Sequence, residues 1–231
     1  MADAPDNSPP QHREVAGHFE LLQELGSGSS GTVYRARLLV PYAGHAAGDE
    51  VAVKFLRPEL AADERARARL FAEGQLGRTL DHPNVAAIHG VETISLLGLD
   101  TTYLVMQYVR GTTLRDFLAR SGAPVEDLTR RIGADAAKGL SALHERDLVH
   151  RDVKPENLIL TDDKQLKIVD LGLARRFGAR GQGSGSSPTG TGRSSGPGLA
   201  GTVSYAAPET LRGLPAGPAS DLYALGVVLF E

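Results

Sequence analysis

Three glycines mark the first segment whose residue types and spacing suggest chemistry. They occupy positions 26, 28 and 31 and are followed by Val33, which matches the pattern G-x-G-x-x-G-x-V. Because glycine has no Cβ, the backbone N–H groups of such a segment can approach phosphate oxygens closely. A glycine-rich hairpin turn is the alternative explanation, since the pattern is weak on its own in a chain with 27 glycines. A strand-like run follows the glycines, which favours a β-hairpin over a dinucleotide-binding turn.

A second segment, residues 150–157 with the sequence HRDVKPEN, is far more specific. It places a carboxylate, an ammonium and an amide close together at Asp152, Lys154 and Asn157. A specified octapeptide has a negligible probability of arising by chance in a chain of this length. A purely structural explanation is therefore disfavoured.

Residues 150–157 resemble the catalytic loop of eukaryotic-type serine/threonine protein kinases. Other motifs of that family follow in the family's order over residues 18–231, and the usage of Ala, Gly and Arg resembles its bacterial members. The resemblance implies an α+β, two-lobed protein-kinase-like fold with a β-rich small lobe and a mainly helical large lobe. The other matching positions are the glycine segment, Lys54 in Val-Ala-Val-Lys, Glu73, Asp170-Leu171-Gly172, Ala207-Pro208-Glu209 and Asp221.

The resemblance implies a role in phosphoryl transfer for each charged residue. Lys54 would hold the α- and β-phosphates of ATP, and Glu73 would fix that lysine by an ion pair. Asp152 would orient the attacking hydroxyl and take its proton. Lys154 would steady the transferred phosphoryl group, and its place two residues after the aspartate resembles serine/threonine rather than tyrosine kinases. The ligands of Mg²⁺, with Mn²⁺ as an alternative ion, would be Asn157 and Asp170.

The same resemblance implies a nucleotide site. Apolar side chains would sandwich the adenine, a methionine would stand behind it, and backbone groups of two residues would bind its edge. The implied ATP-binding set is Gly26, Ser27, Gly28, Ser29, Ser30, Gly31, Val33, Ala52, Lys54, Met106, Gln107, Val109 and Ile159. His150 and Leu171 are expected to pack in the core, and Asp221 resembles a buried aspartate of the family.

Hydrophobic patterning predicts the elements that must position these residues. In the first hundred residues it predicts strands over 18–25, 32–40, 51–56 and 103–109, with a single helix over 59–80. Gly74 and Gly77 should weaken that helix by roughly 1 kcal/mol each relative to Ala. After Gly111 it predicts helices over 113–122 and 125–147, then short strands over 157–161 and 165–171. The expected organisation is a disordered tail (1–17), a small lobe (18–109) and a large lobe (110–231).

Residues 171–207 correspond to the activation segment and contain a Gly/Ser-rich block over 181–198, which predicts a flexible loop. Arg151 resembles the phosphate-sensing arginine of the family, which implies that a phosphate on this block orders the loop. A Gly/Ser linker that merely tolerates extra length is the alternative. In the family the domain continues past the residue that matches Glu231, so we expect an incomplete large lobe and a larger protein. The candidate phosphate acceptors are Thr189, Thr191, Ser194 and Ser195, with Thr202 assigned to the substrate platform.

The amino-acid composition disfavours or excludes several other classes of function. The 231 residues are 41% apolar with a net charge of −3, so no bulk positive field favours nucleic acid or anionic lipid. The chain has no Cys, which excludes disulfide scaffolds and thiol catalysis, and its start does not resemble a signal peptide. We therefore expect a cytoplasmic enzyme whose partners are ATP and proteins with Ser or Thr, in an undetermined oligomeric state. A truncated or pseudokinase-like scaffold that binds nucleotide without catalysis is the alternative.

Overall fold

A computed structural model describes most of the chain outside the Gly/Ser-rich block. Ser29, Ser30, Thr202 and the four candidate phosphate acceptors lie outside the described residues. The structure describes residues 13–15, 18–28, 31–61, 63–96, 99–171, 174–176 and 204–231.

The described chain contains eleven strands, six α-helices and one 3₁₀ turn. The strands are β1 Arg13–Val15, β2 Phe19–Ser27, β3 Gly31–Leu38, β4 Glu50–Leu56, β5 Ile88–Leu96, β6 Leu99–Gln107, β7 Gly111–Thr113, β8 Leu148–Val149, β9 Leu158–Thr161, β10 Leu166–Ile168 and β11 Arg175–Arg176. The helices are α1 Pro58–Ala61, α2 Glu64–Gly77, α3 Leu114–Ser121, α4 Glu126–His144, α5 Pro208–Leu211 and α6 Pro218–Phe230, and the 3₁₀ turn is Pro155–Asn157.

Two compact units share these elements. The first, here the N-terminal unit, comprises Met1–Phe71 and His89–Tyr108. The second, the C-terminal unit, comprises Ala72–Ile88 and Val109–Glu231. A strand-rich unit followed by a mainly helical one agrees with the α+β class expected from the sequence.

A six-stranded sheet in the order β1-β2-β3-β4-β6-β5 organises the N-terminal unit. The pairs β1–β2, β2–β3, β3–β4 and β4–β6 are antiparallel. Apolar side chains of its strands form one core cluster, in which Phe19 and Tyr103 meet edge to face with ring centroids 5.5 Å apart. The members of that cluster are Phe19, Ala36, Leu38, Val51, Val53, Tyr103 and Val105.

Two expectations for the N-terminal residues are wrong. The single helix predicted over 59–80 is two helices, α1 and α2, because the carboxylate of Asp63 accepts a hydrogen bond from the backbone N–H of Arg65 at 2.8 Å and starts a new helix. Part of the predicted disordered tail is ordered, since Arg13–Val15 forms the edge strand β1 against Phe19–Leu21. Neither feature has a signal in hydrophobic periodicity, because one depends on a side-chain cap and the other on backbone pairing between strands.

Helices α3 and α4 match the predicted helices of the C-terminal unit. Thr113 caps α3 by accepting the backbone N–H of Asp116 at 3.1 Å, and Gly122 ends it at φ 70° with its N–H on the carbonyl of Leu118. Apolar residues at helical spacing on α4, among them Ile132, are buried. Strands β10, β9 and β7 form a three-stranded antiparallel sheet.

Helix α6 has a mixed surface. Leu225 and Val228 are buried, whereas Leu222, Tyr223 and Phe230 are exposed. No helix in the described part of the chain is both long and apolar enough to cross a bilayer.

A pair of histidines in the N-terminal unit generates a prediction about pH. The rings of His45 and His89 lie with centroids 4.2 Å apart. Burial, together with the neighbouring His45, lowers the pKa of His89 from 6.5 to about 4. The folded chain therefore binds fewer protons than the unfolded chain between these two values, so stability that is present above pH 6.5 is lost as the pH falls toward about 4.

We expect the free energy of unfolding, measured by urea titration, to fall by about 1–2 kcal/mol between about pH 7 and pH 5, after allowance for solvent screening. His89→Gln should remove most of this dependence, because its side chain does not titrate. His18→Gln is the matched control and should keep it. A His89→Gln profile parallel to that of the wild type would contradict the assignment.

Candidate active site

The glycine segment is a β-hairpin between β2 and β3. The backbone N–H of Gly28 donates to the carbonyl of Gly31 at 2.8 Å, so the strands close directly around the turn. A Cβ on Gly31 would lie 2.1 Å from the carbonyl oxygen of Phe55, which no side chain could tolerate. The hairpin predicted from the strand that follows the glycines is confirmed.

Strand register brings four predicted nucleotide-binding residues to one face of the sheet. Lys54 on β4 lies opposite Val33 on β3, and Ala52 lies opposite Met106 on β6. Residues two apart on a strand point to the same side, so Ala52 and Lys54 share a face with both partners. Lys54 is only 3% exposed.

The other predicted nucleotide contacts occupy different elements. Gln107 lies opposite Val51 and so on the other face of the sheet. Val109 and the half-buried Ile159 of β9 belong to the C-terminal unit. Glu73, on α2, is 5% exposed. Their grouping around a nucleotide stays a prediction.

Asp152, Lys154 and Asn157 form one hydrogen-bonded cluster. Oδ2 of Asp152 accepts from Nζ of Lys154 at 2.7 Å and from Nδ2 of Asn157 at 3.0 Å. The same Asn157 nitrogen donates to the backbone carbonyl of Asp152 at 2.8 Å. The other carboxylate oxygen, Oδ1, is buried and has no hydrogen-bond partner among the described residues. Buried polar atoms are nearly always paired, so this oxygen can accept a further donor.

The buried carboxylate of Asp221, on α6, holds the backbone before this cluster. Its Oδ2 accepts the N–H of His150 at 2.8 Å, and its Oδ1 accepts the N–H of Arg151 at 2.8 Å. Nε2 of His144 lies 2.9 Å from Oδ2. Asp221 is 1% exposed and His150 is fully buried, as expected for two core positions.

Two of the predicted site residues are among the five described non-glycine residues with a positive φ. Arg151 has φ 70° and Asp170 has φ 62°, in the left-handed region that non-glycine residues seldom adopt. Such conformations persist where surrounding contacts enforce them and are common at functional sites. At Arg151 the enforcing contact is the hydrogen bond to Asp221.

Asn157 and Asp170 are connected through the backbone. The N–H of Val169 donates to the carbonyl of Asn157 at 2.9 Å, which fixes the residue before Asp170 to the turn. Because the Asn157 amide nitrogen is bonded to Asp152, its amide oxygen is the atom available to a metal. The described residues contain no cluster of three or more His, Cys, Asp or Glu suited to a metal. One carboxylate and one amide oxygen suit Mg²⁺, which takes its remaining ligands from water and phosphate.

Sequence comparison supplies the deciding observation, because residues 19–231 match the family model described as the protein kinase domain. The chain belongs to the protein kinase family. Among similar proteins is a probable serine/threonine-protein kinase of Corynebacterium efficiens, 35% identical over 217 residues, covering 94% of this chain and 31% of the relative. Serine/threonine-protein kinase PknB of Mycolicibacterium smegmatis is 34% identical over 222 residues, 96% of this chain and 33% of the relative. Serine/threonine-protein kinase PrkC of Bacillus subtilis is 32% identical over 219 residues, 95% and 30% of the two chains.

The chain thus spans about a third of the length of these kinases. The resemblance found from the motifs, including its bacterial character, is confirmed. So is the two-lobed kinase fold class.

The end of the predicted activation segment packs within the C-terminal unit of the kinase domain. Tyr205 is 7% exposed and lines a recess of about 80 Å³ with Asp152 and Lys154. Glu209 accepts a 2.5 Å hydrogen bond from the hydroxyl of Ser220, which lowers the pKa of Glu209. Near the start of the segment, Arg175–Arg176 pairs as β11 with Leu148–Val149, whereas the Gly/Ser-rich block 181–198, predicted as a flexible loop, lies outside the described residues.

Sequence reasoning missed several residues that complete this site. His144 contacts Asp221 from the last turn of α4, and Ser220 bonds to Glu209. Arg115 and Tyr205 take part in a side-chain network described below. Tyr205 stands inside the segment GTVSYAAPE beside a family motif, which was a usable signal, whereas Arg115 carries none.

The anchoring role of Asp221 gives a prediction about stability. Asp221→Asn would put an amide NH₂ against a backbone or imidazole N–H, leaving a buried donor unpaired. We expect the free energy of unfolding to fall by about 2–4 kcal/mol, measured by urea titration. Asp127→Asn on α4 is the control: its side chain is 81% exposed and pairs only with Arg131, so the loss should stay below about 0.5 kcal/mol. Equal losses in the two variants would show that Asp221 is not an anchor.

Proposed function

We propose that this chain is the catalytic domain of a protein serine/threonine kinase, transferring the γ-phosphoryl group of ATP to Ser or Thr hydroxyls of proteins. The observation that carries the proposal is the Asp152 carboxylate. One of its oxygens is fixed by Lys154 and Asn157, and the other is buried and has no partner in the described part of the chain. Such a carboxylate suits a base that must meet an incoming hydroxyl in one orientation.

In the transfer step Asp152 and Lys154 have different roles. The substrate hydroxyl oxygen attacks the γ-phosphorus, its proton passes to Asp152, and the bond to the bridging oxygen of ADP breaks. Lys154 lies 2.7 Å from the base, so its ammonium can also neutralise charge on the phosphoryl group in flight. A positioned base of this kind supplies about 10²–10⁴-fold in rate.

ATP binding is assigned to the predicted nucleotide residues. The shared face of Val33, Ala52, Lys54 and Met106 offers apolar surface for adenine and one ammonium for phosphate. The glycine hairpin offers backbone N–H groups with little steric obstruction. Glu73 is proposed to pair with Lys54.

A divalent ion fits Asn157 and Asp170. When bound, Mg²⁺ would neutralise phosphate charge, and Mn²⁺ has the same preference for oxygen ligands. The strained φ of Asp170 and the Val169–Asn157 hydrogen bond restrict where the two side chains can lie.

The non-catalytic alternative is not favoured. A scaffold would not require a hydrogen-bonded base, and Lys54, Glu73, Asp152, Asn157 and Asp170 are all present. A cytoplasmic location, the lobe boundary at residue 109 and phosphorylation at Thr189, Thr191, Ser194 or Ser195 stay predictions.

The decisive experiment for this function is radiolabel transfer from γ-labelled ATP to dephosphorylated casein. The wild type should label Ser and Thr. Asp152→Asn should lower kcat by about 10²–10⁴-fold, with little change in ATP affinity, because the amide cannot accept the proton. Asp162→Asn, in the exposed turn between β9 and β10, is the matched control and should retain full activity. No transfer by the wild type would refute the proposal.

Asp170 generates a separate prediction about metal. Asp170→Ala should abolish Mg²⁺-dependent transfer while the melting temperature stays near that of the wild type, because a ligand rather than a core group is lost. Calorimetric titration of Mg²⁺ with a nonhydrolysable ATP analogue should show the same loss. Unchanged turnover at saturating Mg²⁺ would contradict the ligand role.

A further inference from the structure

Arg115, in the first turn of α3, connects four segments of the C-terminal unit. Its Nε donates to Glu156 at 2.9 Å, its Nη1 to Glu231 at 2.5 Å and its Nη2 to the hydroxyl of Tyr205 at 2.5 Å. The Tyr205 hydroxyl in turn donates to the second carboxylate oxygen of Glu231 at 2.5 Å. One guanidinium thereby joins helix α3, the 3₁₀ turn, the segment before α5 and the end of α6.

Two of these contacts reach the proposed catalytic cluster. Glu156 lies in the 3₁₀ turn directly before Asn157, the residue that bonds to the carboxylate of Asp152. Tyr205 lines the recess shared with Asp152 and Lys154. Arg115 therefore contacts two neighbours of Asp152, the 3₁₀ turn and Tyr205, without contacting Asp152 itself.

The exposure of the network argues against a mainly stabilising role. The side chains of Arg115, Glu156 and Glu231 are 37%, 46% and 37% exposed, and ion pairs this accessible contribute little to folding. A guanidinium nevertheless imposes direction, because its N–H groups form a rigid planar fork. Hydrogen bonds from Tyr205 and Arg115 lower the pKa of Glu231, so its carboxylate stays charged at neutral pH.

We propose that Arg115 is a positioning residue for phosphoryl transfer. It holds the turn that carries Asn157 and the side chain of Tyr205 in the arrangement that presents Asp152 to a substrate hydroxyl. The inference rests on the proposed kinase function and adds to it a residue outside the family motifs.

The test compares Arg115→Met, Arg115→Lys and the control Arg120→Met in the full chain. Arg120 lies on the same helix and is exposed, so it receives the same substitution away from the network. With dephosphorylated casein as acceptor, Arg115→Met should lower kcat by about 10- to 100-fold. KM for ATP should be unchanged, and the melting temperature should fall by less than about 3 °C. Arg115→Lys should be more active than Arg115→Met, because it keeps the positive charge. Its activity should stay below that of the wild type, because an ammonium lacks the planar fork of a guanidinium.

Tyr205→Phe supplies an independent check of the network. It removes the hydroxyl that links Arg115 to Glu231, so it should lower kcat on its own. Combined with Arg115→Met it should add little, because both changes break the same network. If the loss of kcat in the double variant equalled the product of the losses in the two single variants, the two residues would not act through one network.

Three outcomes separate this inference from the function on which it rests. Wild-type kcat in Arg115→Met, with an active parent, overturns the positioning role and leaves the kinase function standing. A loss of kcat matched by a large fall in melting temperature and by a raised KM for ATP also overturns it, because it reports unfolding. No transfer by the wild type refutes the proposed function itself.

Discussion

One buried carboxylate holds the segment 150–157 in place. Asp221 accepts two consecutive backbone N–H groups, those of His150 and Arg151, at 2.8 Å each. Such charge-assisted hydrogen bonds are stronger than neutral ones, and two adjacent bonds fix a peptide in direction as well as position. The left-handed conformation of Arg151 is tolerated there because the neighbouring contacts enforce it. The orientation of Asp152, one residue later, follows from this anchor.

The side chains after the anchor complete the orientation. Lys154 and Asn157 bond to the same oxygen of Asp152, and its other oxygen has no partner among the described residues. Arg115 then bonds to the outer side of the turn and to Tyr205, so the segment around Asp152 is supported from the core by α6 and from the surface by α3. The arrangement thus combines a buried contact, at Asp221, with an exposed one, at Arg115.

Motifs and patterning predicted much of this. The family, the fold class, the glycine hairpin, helices α3 and α4 and the burial of His150, Leu171 and Asp221 all followed from local sequence. Local signals suffice for these features because side-chain periodicity and glycine placement act over a few residues. The division of the predicted 59–80 helix was missed, because a side-chain cap at Asp63 overrides an otherwise helical composition.

The sequence by itself determined which residues match the family's motifs, since their types and order are written in consecutive motifs. Only the tertiary structure decided which oxygen of Asp152 is bonded by Lys154 and Asn157 and which residues support the turn around it. Arg115 and Tyr205 are 90 residues apart, and Arg115 and Glu231 are 116 apart. Contacts over such separations depend on how helices and turns pack, and a single arginine in a helix carries no local trace of its partners. The tertiary contacts of Arg115, and not a sequence pattern, therefore distinguish it from the other arginines of the chain.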